Sequence, residues 1–397
     1  MRHFSAALAA LCLFVLTACG TPENAPTASS SAPAPAASSA AVSPAEPDIS
    51  LPGEPESEPE PDALQVLLDR MTLSEKVGQL FFVRCPAENA VEDVKTYHLG
   101  GYLLFGRDFK DRTANDVVQT IAAYQDAAAI PLLIGVDEEG GTVVRVSSNP
   151  HLRASKFRSP QALFADGGLD AIRRDTGEKD RLLSALGINV NFAPVADVST
   201  SSSDFIHGRA FGQDAAATAE YVRAVVDVIN GDGVGSVLKH FPGYGNNADT
   251  HTGIAVDRRP METFETSDLL PFRLGDSDAG KTAVLVSHNI VECMDPNLPA
   301  SLSPAVHDLL RELGFDGVAM TDDLAMDAVA AYAADGAVAV MAIQAGNDMV
   351  VTTDYRTQIP KVIEAVENGT LNEAAIDTAC RRVLAWKQAL GLLEGLV

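Results

Sequence analysis

A chain of 397 residues has room for one large domain or two small ones, and its 46% hydrophobic residues suffice for a substantial core. The formal net charge of −25 argues against a nucleic-acid partner, because phosphate binding needs clustered Lys and Arg that 29 basic against 54 acidic residues do not supply. The same acidic balance keeps the protein soluble and weakly repelled by anionic membrane surfaces.

Residues 1–18 read as a leader. Met1-Arg2-His3 carries one firm positive charge, and the apolar stretch from Ala7 to Leu16 is too short to span a bilayer, which takes about 20 apolar residues. The stretch ends in Leu16-Thr17-Ala18-Cys19, which resembles the lipobox of bacterial lipoprotein signal peptides. That resemblance implies cleavage before Cys19, a diacylglycerol thioether on Cys19, and an extracytoplasmic protein anchored to the cell membrane. Residues 19–62, rich in Ala, Ser and Pro and then in Pro and Glu, bury too little apolar surface to fold and read as a disordered tether. Cys85, Cys293 and Cys380 remain beyond it, an odd number at wide spacings that matches neither a disulfide framework nor a zinc pattern.

From residue 63 to 397 short apolar runs alternate with longer amphipathic segments, which predicts one catalytic-sized α/β domain. The expected strands are Gln79–Val83, Tyr102–Phe105, Leu132–Val136, Val190–Ala193, Ser236–Lys239, Ala283–Ser287, Val318–Thr321 and Met349–Val351. Helical stretches are expected at Ala114–Ala129, Ala215–Asn230, Pro304–Leu313 and Gly336–Ala345. Strand-then-helix repetition implies parallel pairing with right-handed crossovers. Asp137, Asp197, His240, His288 and Asp322 each stand at or just after a strand end, and five strands supplying ionisable groups at one end fit a (β/α)8 TIM-type barrel better than an open doubly wound sheet.

The densest chemistry lies in Lys239-His240-Phe241-Pro242-Gly243-Tyr244-Gly245, followed after Asn246-Asn247-Ala248 by Asp249-Thr250-His251. Lys239 and His240 end a strand, and Pro with two Gly then breaks regular structure. In an extended Asp-x-His piece the carboxylate and the imidazole point the same way, which makes the histidine a competent acid and then base near neutral pH. Taken singly, Asp249 and His251 also fit an exposed polar turn. Asp322-Asp323, after an apolar run, offers either a strand-borne nucleophile or a helix cap, and residue chemistry leaves open which acid would act. Alternation along an extended chain predicts that only one of the two faces the mouth. His288 fits site lining and structural hydrogen bonding equally well.

Lys239 to His251 resembles the Lys-His-Phe-Pro-Gly…Asp-x-His signature of β-N-acetylglucosaminidases in glycoside hydrolase family 3, with Tyr244 where the family has His and Thr250 where it has Ser. Gly135-Val136-Asp137-Glu138-Glu139-Gly140-Gly141 through Arg145 is similar to the family's sugar-binding strand end, with Thr142 in place of the usual Arg. Asn191 to Asp197 and Arg209-Ala210-Phe211-Gly212 match as well. The resemblance implies Asp322 as nucleophile, His251 backed by Asp249 as proton carrier, and Asp137, Arg145, Arg209, Lys239, His240 and His288 as substrate-binding residues. It implies a retaining exo-enzyme acting through a glycosyl-enzyme on terminal β-linked GlcNAc of peptidoglycan fragments or other saccharides. No metal or organic cofactor and no nucleic acid are called for, and a monomer is expected. The competing readings are a phosphorylase with the same residues and an inactive tethered saccharide-binding protein.

Overall fold

The computed structural model describes residues 62–247, 255–274, 280–326, 329, 332 and 336–397. The leader, the tether as far as residue 61, Cys19, Asp249 and His251 therefore lie outside the described residues, while Asp62, the last residue assigned to the tether, caps the first helix.

Among the described residues ten short strands form: β1 Phe81–Arg84, β2 Gly101–Leu104, β3 Leu133–Val136, β4 Val190–Asn191, β5 Gly235–Phe241, β6 Val256–Asp257, β7 Thr282–Val286, β8 Ile290–Val291, β9 Val318–Thr321 and β10 Val350–Thr352. Eight of them pair in the order β10-β1-β2-β3-β4-β5-β7-β9, every pair parallel. A bridge between Met320 and Met349, with the Thr321 N–H donating to the Met349 carbonyl at 3.2 Å, draws β9 against β10 and brings the ring to near closure. The expected (β/α)8 barrel is the observed fold, and each expected strand is one of its staves. β6 and β8, which the apolar pattern did not predict, pair outside the ring.

Helices fill the crossovers where the sequence supplies caps. Ser159, Asp214 and Ser303 each accept the backbone N–H three residues on, opening Pro160–Ala185, Ala215–Gly231 and Pro304–Glu312; such caps stabilise by about 1 kcal/mol each. Thr113 and Asp116 form a reciprocal capping box at the start of Ala114–Ala127.

Side-chain alternation sorts the strands into an inside and an outside. Phe82, Leu103, Leu133, Val190, Val237, Ala283, Leu285, Val318, Met320 and Val351 point into the barrel and pack together. Their neighbours Phe81, Val83, Tyr102, Leu104, Ile134 and Val136 pack outward beneath helices in one cluster, and Leu238, Val284, Val286 and Ala319 in another. Burying each such side chain stabilises by about 1.5–3 kcal/mol. Gly135 stands at an inward position, where a Cβ would come within 2.7 Å of both Phe82 and Phe192; its absence lets those rings meet edge to face at 5.2 Å. The last helix, Glu373–Ala389, seals the end of the barrel beneath these residues. Its Trp386 joins the inner cluster and donates from Nε1 to the Lys281 carbonyl at 2.9 Å. No helix among the described residues is long and apolar enough to cross a membrane.

Candidate active site

The inside–outside alternation runs on past the strand ends and decides which side chains reach the mouth. Two residues beyond an inward core residue stand Arg84 (β1), Phe105 (after β2), Phe192 (after β4), Lys239 (β5), Asp322 (after β9) and Thr353 (after β10), and all of them line one cavity of about 500 Å³. Asp137, four residues beyond inward Leu133, lines it too. Strand β5 adds a second group. Its register against β7 shifts between Lys239 and Phe241, and this irregularity lets His240 line the cavity beside Lys239. Arg145 and Arg209 enter from the loops after β3 and β4.

These groups hold one another through buried charge pairs. Lys239 Nζ stands 2.6 Å from Asp137 Oδ1 and 2.6 Å from Glu139 Oε1. Arg209 grips Glu139 with two hydrogen bonds, Nε to Oε2 at 3.1 Å and the terminal amine to Oε1 at 2.8 Å. Burial alone would raise the Glu139 carboxyl, but Lys239 and Arg209 overcome it and hold its pKa at about 2. Burial likewise opposes the charge on Arg209, and Glu139 reverses that, pushing the guanidinium above its usual range. His240 Nδ1 lies 2.7 Å from Asp197 Oδ2, and Asp197 Oδ1 accepts the Tyr244 N–H at 2.7 Å, so one buried carboxylate orients both the imidazole and the start of the following loop. Arg145 reaches Asp137 at 3.6 Å. The Glu138 carboxylate accepts the backbone N–H groups of Arg145 and Val146, each at 2.8 Å, and is fully buried. Glu138 and Glu139 are thus the internal frame of the site, not a solvated turn.

Opposite this cluster stands the acid pair. In the ring order β3 and β9 are four strands apart, so Asp322 faces Asp137 across the mouth. Asp322 is held by its N–H donating to the Val286 carbonyl at 3.0 Å, and its Oδ1 accepts the Asp323 N–H at 2.8 Å. Asp323 also lines the cavity, contrary to the expectation that only one of the two would. β9 ends at Thr321, so strict alternation no longer governs the second acid. Asp323 is nevertheless engaged differently: its Oδ1 caps the Ala325 N–H at 3.0 Å, and burial raises its carboxyl pKa.

His288 departs from the expected set. Leu285 points inward, so alternation sends Val286 and then His288 to the outer side, and His288 is not among the cavity-lining residues. It is fully buried, with Nδ1 2.7 Å from Ser301 Oγ and Nε2 3.1 Å from the Asp323 carbonyl, a link that braces the acid-bearing turn from behind. Sequence reasoning also missed Glu139, Arg84, Phe105 and Thr353. The last three sit in slots that alternation from the strand centres predicts.

The described part of the loop after β5 is clamped at both feet. Arg259 bonds Asp257 through Nε and a terminal amine, and Asp268 at 2.9 Å, and it reaches the Gly243 carbonyl at 3.4 Å. Asn247 donates to Asp257 at 2.6 Å. Gly245 takes φ 53°, and a Cβ there would lie 2.3 Å from Arg259 Cζ, so that close approach requires glycine. Among the described residues no cluster of three or more His, Cys, Asp or Glu side chains is placed to hold a metal ion.

A (β/α)8 barrel whose mouth gathers paired cations, carboxylates and a strand-borne acid in one cavity is the arrangement of a barrel enzyme's active site. Residues 72–386 match the glycosyl hydrolase family 3 N terminal domain, and the chain belongs to that family. It is 34% identical to a β-hexosaminidase of Xanthomonas campestris over 296 residues, covering 72% of this chain and 87% of the relative. It is 32% identical over 381 residues to the β-hexosaminidase LpqI of Mycobacterium tuberculosis, covering 93% of this chain and 92% of that one. Among solved structures it resembles a family 3 β-N-acetylglucosaminidase from Paenibacillus with a TM-score of 0.75 at 32% identity; the match covers 81% of this chain and spans 63% of that longer chain. The protein is a glycoside hydrolase.

Proposed function

We propose that the protein is a retaining, exo-acting β-N-acetylhexosaminidase that removes terminal β-linked GlcNAc from saccharides, cell-wall fragments foremost among them. The observation that carries this reading is the placement of Asp322 on a strand end, facing the Asp137–Lys239–Arg209–His240 cluster across a cavity closed at its base. The names of the β-hexosaminidase relatives support a hexosamine glycoside, and that of the Paenibacillus β-N-acetylglucosaminidase supports the acetamido sugar. The cluster grips the hydroxyls of the terminal sugar. Asp322 attacks the anomeric carbon and the glycosidic C–O bond breaks, with His251, backed by Asp249, protonating the departing oxygen. Water then cleaves the glycosyl–Asp322 ester, giving its proton to His251. A lipid on Cys19 would hold this chemistry at the outer face of the membrane.

Full-length protein in detergent should release nitrophenol from the GlcNAc β-glycoside and far less from the glucoside. A 5-fluoro glycosyl fluoride of GlcNAc should label Asp322, and Asp322→Asn should lose both labelling and at least about 10³-fold in turnover. Labelling that persists in that variant would overturn the nucleophile. Formation of GlcNAc 1-phosphate in millimolar phosphate would assign phosphorolysis in place of hydrolysis.

A further inference from the structure

Among the described residues, Arg84 is the cavity-lining arginine that forms no ion pair. Arg209 is clamped by Glu139, and Arg145 stands 3.6 Å from Asp137. Arg84, the last residue of β1, forms no ion pair with any described carboxylate, and its buried Nε has no hydrogen-bond partner among the described residues. Its guanidinium carbon lies 4.1 Å from the centre of the Phe105 ring, a cation–π contact that holds the group on the cavity wall. Asp108 and Asp323 feel the Arg84 charge without pairing with it: the Asp108 carboxylate accepts the Phe105 N–H at 2.7 Å, and that of Asp323 is turned to the Ala325 N–H and, at 3.4 Å, to Thr353 Oγ1.

A half-buried guanidinium with no directly paired carboxylate is costly, although the chain as a whole carries a net charge of −25. The ring order places β1 four strands from β5, so Arg84 faces Lys239 and His240 across the mouth. A sugar held by its hydroxyls on the β5 side would present its other edge, or the group attached to it, to Arg84. A guanidinium is a planar fork of donors that matches the two oxygens of a carboxylate, and contact with an aromatic ring leaves those donors available.

We propose that Arg84 is a specificity-determining residue that binds a carboxylate carried by the saccharide substrate, so that the enzyme prefers an acidic saccharide to its neutral counterpart. This inference rests on the glycosidase reading above. The test compares two probes: GlcNAc β-1,4-linked to N-acetylmuramic acid, and the same disaccharide with its lactyl carboxylate converted to the amide. Wild-type protein is expected to show kcat/KM about tenfold higher for the acid, the discrimination one charge-assisted pair supplies. Arg84→Gln should bring the acid-to-amide ratio close to one, mainly through KM, while Arg84→Lys should keep part of the preference. The ratio is the readout, so a general loss of fold or activity does not imitate the result. An unchanged ratio in Arg84→Gln, or no preference in the wild type, would overturn the assignment while leaving the glycosidase reading in place. Cleavage of neither disaccharide nor the aryl glycoside by the wild type would refute that reading itself.

Discussion

At the residue scale, the site's stability depends on charges that are buried together. Glu139 neutralises both Lys239 and Arg209 and is itself 5% exposed. Glu139→Gln leaves two buried cations short of a partner and is expected to destabilise the fold by about 3–5 kcal/mol, with a rise in KM as Lys239 and Arg209 reorient. The pH dependence follows from the depressed pKa of about 2 against an ordinary value of 4.5. The stabilisation is fully present above the ordinary carboxylate range and is lost as pH falls through about 2. Urea denaturation should therefore separate wild type and variant widely at pH 7 and less at pH 3, and an equal gap at both would contradict the ion-pair account.

At the element scale, the loop after β5 joins a rigid strand end to the short β6–β8 pair, and the Arg259–Asp257–Asp268 cluster ties its two feet. In the sequence that loop goes on to Asp249 and His251. Gly245→Ala forces a Cβ into the Arg259 guanidinium and asks alanine to adopt a positive φ. We expect a loss of about 1–3 kcal/mol in stability and a fall in kcat of about tenfold or more, with KM changed less. Steady-state kinetics with the aryl GlcNAc glycoside checks this; a variant with unaltered kcat would show that the clamp does not position the segment proposed to carry the proton.

At the scale of the whole molecule, the C-terminal helix closes the barrel by reaching several staves at once. Trp386 bonds the Lys281 carbonyl beside β7, Arg382 pairs with Asp348 beside β10 at 3.0 Å, and Lys387 donates to Gln79 Oε1 beside β1 at 2.6 Å. Lys387 is fully buried, and burial lowers its amine from 10.5 to about 7. A lowered folded-state pKa means that the fold is most favoured above the ordinary lysine range and loses stability as pH falls from about 10.5 towards 7. Lys387→Met removes that penalty but leaves Gln79 without its donor. The Tm of the variant relative to wild type should thus rise steadily between pH 10 and pH 7. A pH-independent difference would mean that the buried amine stays charged.

Much of this architecture was legible in the residues themselves. Apolar runs such as Leu132–Val136 and Val318–Thr321, bounded by glycine and polar residues, mark strands buried on both faces, and hydrophobic burial needs no distant partner to be read. Lys239, His240, Asp137 and Asp322 could be placed at the mouth because a strand end is a local property. The orientation of each side chain was not local. His288 turned outward because its strand is phased by Leu285 inside the barrel, and His240 turned inward because the register of β5 slips against β7. Asp323 joined Asp322 at the cavity once β9 had ended. Glu139 and Arg84 differ in tertiary context: one carboxylate meets two cations brought from other strands and loops, and one guanidinium meets an aromatic ring and forms no ion pair with a described acid. The sequence by itself determined the elements and the inventory of charges. Which charges are neutralised, and which is left for a ligand, was decided only by the closing of the ring, because Coulomb pairing and desolvation depend on distances between residues far apart in the chain.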